Sequence, residues 1–211
     1  AGAGEEDGEG DDILEKMERN PELFATAPAP KRMFSFDWAN GAVAPFVASP
    51  DAAIHEIFVR VGLTREDVVL DLGCGDGRLL IEAAVTRGAR GVGIDLDQEL
   101  LQAGRERAEA MGVSQLVELG AADLMDPLWS WGAASVVVLY LLPATLERLG
   151  PRLEAHLLSQ RGSVAASVRW PVKGLEKYLE REPARESPGG TAVHVYTCSR
   201  ALGPRRTSPP S

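Results

Sequence analysis

One stretch constrains this chain more than any other: Val68-Val69-Leu70-Asp71-Leu72-Gly73-Cys74-Gly75-Asp76-Gly77-Arg78. An apolar, β-branched run ends in an acid, three glycines follow on alternate positions, and a helical pattern begins at Arg78. That order predicts a strand, a tight turn and a helix start. Glycine in such a turn admits φ > 0 and lets a ligand approach the backbone with no Cβ in the way. The first turn of the helix offers unpaired N–H groups. Asp71 places a carboxylate at the carboxyl end of the strand, where open α/β sheets bind ligands. A second apolar run, Gly91-Val92-Gly93-Ile94, ends in Asp95. This acid lies about 20 residues past the glycines, the position of an acid that reads a ribose hydroxyl. The spacing is G-x-G-x-G and not the G-x-G-x-x-G of dinucleotide sites.

The rest of the pattern predicts how many elements surround this turn. Ser49-Pro50-Asp51 has the composition of a helix start, and Ile54, Ile57, Phe58 and Val61 follow on one face up to Gly62. His55 falls off that stripe. Strands are expected over 67–72, 91–95, 116–119, 134–141 and 163–168, with helices over 78–87 and 98–111. On the second of these helices Glu99, Arg105, Glu106, Arg107 and Glu109 read as a solvated face. Gly150-Pro151 predicts two short helices, near 144–149 and 151–158. Leu175–Arg181 and Ala192–Cys198 read as two further strands joined by a Ser187-Pro188-Gly189-Gly190 turn. Alternating strands and helices imply right-handed crossovers. The expected fold class is therefore α/β: a Rossmann-like, seven-stranded, mostly parallel sheet with a C-terminal antiparallel hairpin.

The expected domain organisation is an acidic tail over 1–30, an aromatic arm over 31–50, one α/β domain over 51–200 and a polar end over 201–211. Hydrophobic residues make up 45% of the 211, enough for a packed core. The arm, Met33-Phe34-Ser35-Phe36-Asp37-Trp38 with Phe46 behind it, has two readings: rings buried for stability, or a lid over the ligand. A net charge of −9 argues against nucleic acid as a partner, because the phosphate backbone is met with clustered Lys and Arg. Two cysteines, Cys74 and Cys198, imply neither a disulfide framework nor a zinc cluster. No apolar run has the length of a membrane span. The expected compartment is the cytoplasm, or the mitochondrion where a targeting segment has been removed.

These residues together resemble the class I, or seven-strand, S-adenosylmethionine-dependent methyltransferases, over Pro45 to Ser199. The family's (D/E)-x-G-x-G-x-G motif stands here as Asp71-Leu72-Gly73-Cys74-Gly75-Asp76-Gly77, its ribose acid as Asp95-Leu96, its third motif as Asp123-Leu124 and its fourth as Val138-Leu139-Tyr140-Leu141. With the flanks Pro45-Phe46-Val47-Ala48-Ser49-Pro50 and Leu139-Tyr140-Leu141-Leu142-Pro143, the chain is similar to one group: the lysine methyltransferases of the adenine nucleotide translocase and the ATP synthase c-subunit, with their bacterial relatives.

The resemblance implies S-adenosyl-L-methionine as cofactor. Asp71 would help hold its methionine end and Gly73, Gly75 and Gly77 would give it room, with Cys74, Asp76, Leu139 and Phe46 as further cofactor-binding residues. Asp95 would meet the ribose and Asp123 the adenine amine, with Leu96 and Leu124 sandwiching the ring. A sulfonium is an activated methyl donor, so the protein's task is to hold donor and acceptor in attack geometry and to let an amine lose its proton. Tyr140 is the candidate catalytic residue, lining the acceptor channel; the alternative is a ring packed under the next helix. No Asn/Asp-Pro-Pro-Tyr stands at the fourth motif, which argues against methylation of nucleobases, and no metal is expected. The expected reaction is methyl transfer to a protein lysine. The alternatives are a small-molecule methyltransferase and a catalytically silent cofactor-binding partner subunit.

Overall fold

Helix α1, Asp51–Val61, forms because Ala53, Ile54, Ile57, Phe58 and Val61 make one apolar stripe. It ends at Gly62, whose φ of 60° stops the helix. Strand β1, Val68–Leu72, follows, then α2, Arg78–Arg87, β2, Arg90–Asp95, and α3, Gln98–Ala110. Next come β3, Val117–Ala121, β4, Val136–Leu139, α4, Pro143–Ser159, and β5, Val164–Val168. A short 3-10 turn, Glu176–Tyr178, precedes β6, Val193–Thr197. The structure is a computed structural model and describes residue 49 and residues 51–159, 162–180 and 192–198, all within one compact unit, Phe36–Ser211. The aromatic arm, Phe46 and the 187–190 turn lie outside the described residues.

The strands form one sheet in the order β3-β2-β1-β4-β5-β6. Pairing is parallel from β3 to β5, and β6 runs antiparallel to β5, with Val164 opposite Thr197 and Val168 opposite Val193. The chain leaves β1 towards β2 and β3, then returns to the other side of β1 for β4. That reversal opens a crevice at the carboxyl ends of β1 and β4.

Period-two alternation divides the core between the two faces. One face carries Val69, Val136, Val138, Val164, Ala166, Val193 and Val195, under α1 and the inner residues of α2 and α3. The other carries Leu70, Leu72, Val137, Leu139 and Ala165 under Leu146, Leu149, Leu153 and Leu157 of α4. Strand β4 is buried on both faces, so it reads as a continuous apolar run.

Two expectations are corrected here. The two short helices are one, α4, with Pro151 inside it. Pro151 and Glu147 both lie on the exposed face, so water can solvate the carbonyl that proline leaves unpaired. The buried stripe of Thr145, Leu146, Leu149, Gly150, Leu153, His156 and Leu157 runs unbroken past the proline. The stretch 175–180 is not a strand either. Local turns take up its backbone donors: Leu175 N donates to Val172 O at 3.2 Å and Tyr178 N to Leu175 O at 2.9 Å. Leu175 is buried on the α4 side. Only Leu179 and Glu180 reach the outer edge of β6, through a Leu179–Tyr196 bridge and a Glu180 N–Val195 O bond of 2.9 Å. The described residues therefore show six strands where seven were expected.

Candidate active site

The glycine turn folds back over the end of β2 and is held there by backbone and side-chain bonds. Gly73, Gly75 and Gly77 have φ of 82°, 54° and 66°, a conformation that strains a residue bearing a Cβ. Gly73 N and Cys74 N both donate to Ile94 O, at 2.9 and 3.0 Å. Gly75 N donates to Asp95 Oδ2 at 2.8 Å, and Asp97 N to Asp95 Oδ1 at 3.0 Å. One carboxylate thus ties the turn to the start of α3, leaving further lone pairs on both oxygens. Asp97 in turn caps α3, accepting from Glu99 N at 3.0 Å and Leu100 N at 3.2 Å.

Asp71 and Asp76 are both buried and are in opposite electrostatic situations. The Asp71 carboxyl accepts no hydrogen bond among the described residues. Burial, with the carboxylates of Asp95 and Asp76 adding to it, pushes its pKa up to about 7. Burial alone would also raise Asp76, but Arg78 and Arg107 hold it below the usual carboxylate range. Arg78 reaches it with Nε at 3.1 Å and Nη2 at 2.8 Å, and Arg107 with Nη1 at 3.0 Å. The Asp76 carboxylate is thus engaged by the protein, and only its backbone is offered to a ligand. Cys74 is turned away as well: a Cβ on Gly93 would lie 2.7 Å from its Sγ. Burial first, then Asp71 and Asp95, push its thiol pKa up and keep it a protonated packing group.

Around the crevice the remaining expected residues take different places. Leu96 follows Asp95 and is 42% exposed, unusual for a large apolar residue in so well packed a sheet. Leu124 is buried, with Cδ2 3.9 Å from where a Gly73 Cβ would stand. Asp123 is exposed and closes its own turn, Oδ1 accepting from Met125 N at 2.8 Å. Oδ2 has no partner among the described residues. The Leu139 side chain is fully buried on the α4 face, so a ligand would meet its backbone alone. Tyr140, one residue past β4, is half-buried and packs against the α1-side cluster, on the sheet face opposite α4. It is therefore not a ring packed under the next helix, and its hydroxyl bonds to nothing among the described residues.

Asp71 is level with Val138 on β4, so Tyr140 follows two residues further along on the same sheet face, at the reversal point. Reasoning from sequence missed the two arginines on Asp76. Arg107 counted as solvated surface, although it lies three residues after the buried Gly104, on the flank of the helix's inner stripe.

The residues fit S-adenosylmethionine on the structure's own terms. A buried carboxylate without a counter-charge suits the cationic end of the cofactor. The glycine turn admits close approach, and an acid followed by an exposed leucine suits a ribose and a purine. The chain spans less than half the length of the ribosomal protein L11 methyltransferases it resembles, for example 41% of the one from Edwardsiella ictaluri, at 33% identity over 128 residues and 56% of this chain. It is 28% identical over 131 residues to a protein-lysine N-methyltransferase of Saccharolobus islandicus, covering 62% of this chain and 79% of that one. A crystal structure described as an RNA methyltransferase from Salinibacter ruber, in complex with S-adenosyl-L-homocysteine, superimposes with a TM-score of 0.64 at 30% identity. The match covers 77% of this chain and all of that one. Residues 71–178 match the family described as ANTKMT methyltransferase domain. The chain belongs to that family: it is a class I methyltransferase with S-adenosylmethionine as its cofactor.

Proposed function

We propose that this methyltransferase acts on a lysine side chain of a protein. The observation that carries this reading is the sequence likeness to a protein-lysine N-methyltransferase across most of that enzyme's length. The site supports it. Bound S-adenosylmethionine supplies an activated methyl group, so the chain has to bind, orient and exclude water and needs no nucleophile of its own. Asp95 accepts from the ribose hydroxyls, Asp123 Oδ2 from the adenine amine, and Leu96 and Leu124 flank the ring. Asp71 takes the cationic methionine end over the glycine turn. Tyr140 lines the acceptor's approach at the reversal point. The chain's net charge of −9 favours a cationic segment such as a lysine-bearing one.

A second reading has a specific observation behind it: the Salinibacter ruber protein is described as an RNA methyltransferase. The net charge of −9 runs against a polyanionic acceptor. Incubating the protein with tritium-labelled S-adenosylmethionine and a cell lysate separates the two. Label removed by protease and retained after ribonuclease supports the protein acceptor. Label removed by ribonuclease replaces it with RNA, and label confined to small molecules replaces it with a metabolite.

A further inference from the structure

We infer that Arg107, on the outer part of α3, is a positioning residue for the cofactor, acting through Asp76. This rests on the glycine turn being the cofactor's seat. The turn is held from three sides. Ile94 O takes Gly73 N and Cys74 N, Asp95 takes Gly75 N, and the third hold is on Asp76, between Gly75 and Gly77. That hold consists of two guanidinium groups on one carboxylate whose side chain is 4% exposed, the partners being 12% and 18% exposed. Arg78 belongs to the helix that the turn itself opens, so its bond moves with the turn. Arg107 comes from another helix and ties the turn to the last turn of α3, as the Asp95 carboxylate ties it to that helix's start.

The backbone shows the same closeness. A Cβ on Gly104, one helical turn before Arg107, would stand 2.5 Å from Asp76 O and 2.6 Å from Leu119 Cδ1. A Cβ on Gly77 would stand 2.9 Å from Leu119 Cδ1 and Cδ2. The turn and α3 are therefore packed backbone to backbone, with Arg107 closing the contact. A buried charge pair of this kind is weak evidence for added stability, because desolvation offsets much of the attraction. Its consequence is registry. It sets where the Gly75 and Gly77 backbone stands relative to Asp95, and a small displacement of a positioned group is costly at a binding site.

The test is titration of the full chain with S-adenosylhomocysteine by calorimetry, with melting temperatures measured in parallel. Arg107→Gln is expected to weaken binding about tenfold, and Arg107→Lys, a point charge in place of a fork, about threefold. Gly104→Ala presses on the same turn without touching the ion pair and is expected to weaken binding as well. Val113→Ala, in the small cluster between the far ends of α2 and α3, lowers the melting temperature while leaving binding intact. Arg107→Gln binding as tightly as the wild type overturns the inference. So does Val113→Ala losing as much affinity as Arg107→Gln. If the neutral variant does not fold, wild-type affinity in Arg107→Lys and Gly104→Ala together overturns it. A wild-type chain that binds no S-adenosylhomocysteine overturns the assignment of the turn itself.

Discussion

Asp71 makes cofactor binding depend on pH, and the structure sets the size of the effect. Its carboxyl is buried, accepts no hydrogen bond among the described residues, and faces the carboxylates of Asp95 and Asp76, with the protonated Cys74 thiol beside it. Its pKa of about 7 means the ligand-free protein holds Asp71 mostly protonated at pH 6 and mostly ionised at pH 8. A cationic ligand selects the ionised form, and apparent affinity falls with the fraction of protein in that form. The ionised fraction is roughly 0.1 at pH 6 and roughly 0.9 at pH 8, so binding should be about tenfold weaker at the lower pH. Calorimetry with S-adenosylmethionine from pH 5.5 to 8.5, in pairs of buffers of different ionisation enthalpy, reads both the affinity and the proton released. Affinity should rise through this range and level off above about pH 7, and Asp71→Asn should remove the slope.

The contribution of Asp71 to the stability of the ligand-free chain moves the other way. Between pH 3.8 and about 7 the unfolded chain gives up from Asp71 a proton that the native state keeps, so this contribution falls as pH rises through that window and is flat above it. The full loss is at most about 4 kcal/mol. A flat affinity profile, or a slope that survives in Asp71→Asn, refutes this reasoning.

Three further outcomes follow from named contacts. Asp95→Ala removes the bonds to Gly75 N and Asp97 N together with the ribose acceptor, and should weaken cofactor binding by about 1.5–3 kcal/mol; unchanged affinity in calorimetry removes Asp95 from the site. Gly93→Ala places a Cβ 2.7 Å from both Cys74 Sγ and Leu80 Cδ1, and should cost about 1–3 kcal/mol in urea unfolding, less when Cys74 is also replaced by alanine; full wild-type stability contradicts the packing. Tyr140→Ala should leave the cofactor dissociation constant within about twofold and lower the transfer rate about tenfold or more, and equal loss of both would place the ring on the cofactor instead of the acceptor.

Much of this fold was legible because its signals are local. Strand β1, the glycine turn and α2 each announce themselves within a few residues, and α2 begins and ends where the pattern places it, at Arg78 and Arg87. Asp71, Asp95 and Tyr140 were legible as a group, since each stands at or just past the carboxyl end of a strand and the sheet order brings those ends together. The misreadings share a cause: tertiary packing outweighed the local rule. Pro151 is a helix breaker that a continuous buried stripe overrode. Leu175 opens a stretch expected as a strand yet is buried in a turn on the α4 face, leaving only a stub on β6. Asp76 sits within the motif, but its side chain is claimed by Arg78 and by Arg107, 31 residues away. The spacing of α3 puts Arg107 on the flank of the inner stripe but gives it no partner, because Asp76 lies on another element.

The central claim is that the methyl group reaches a lysine. The most direct measurement is acid hydrolysis of the protein labelled from tritiated S-adenosylmethionine, with the released amino acids separated against methyl-lysine standards. The account predicts tritium in methyl-lysine, lost when Asp95→Ala replaces the wild type. Tritium in another methylated residue, or none in the protein fraction while RNA carries the label, contradicts it.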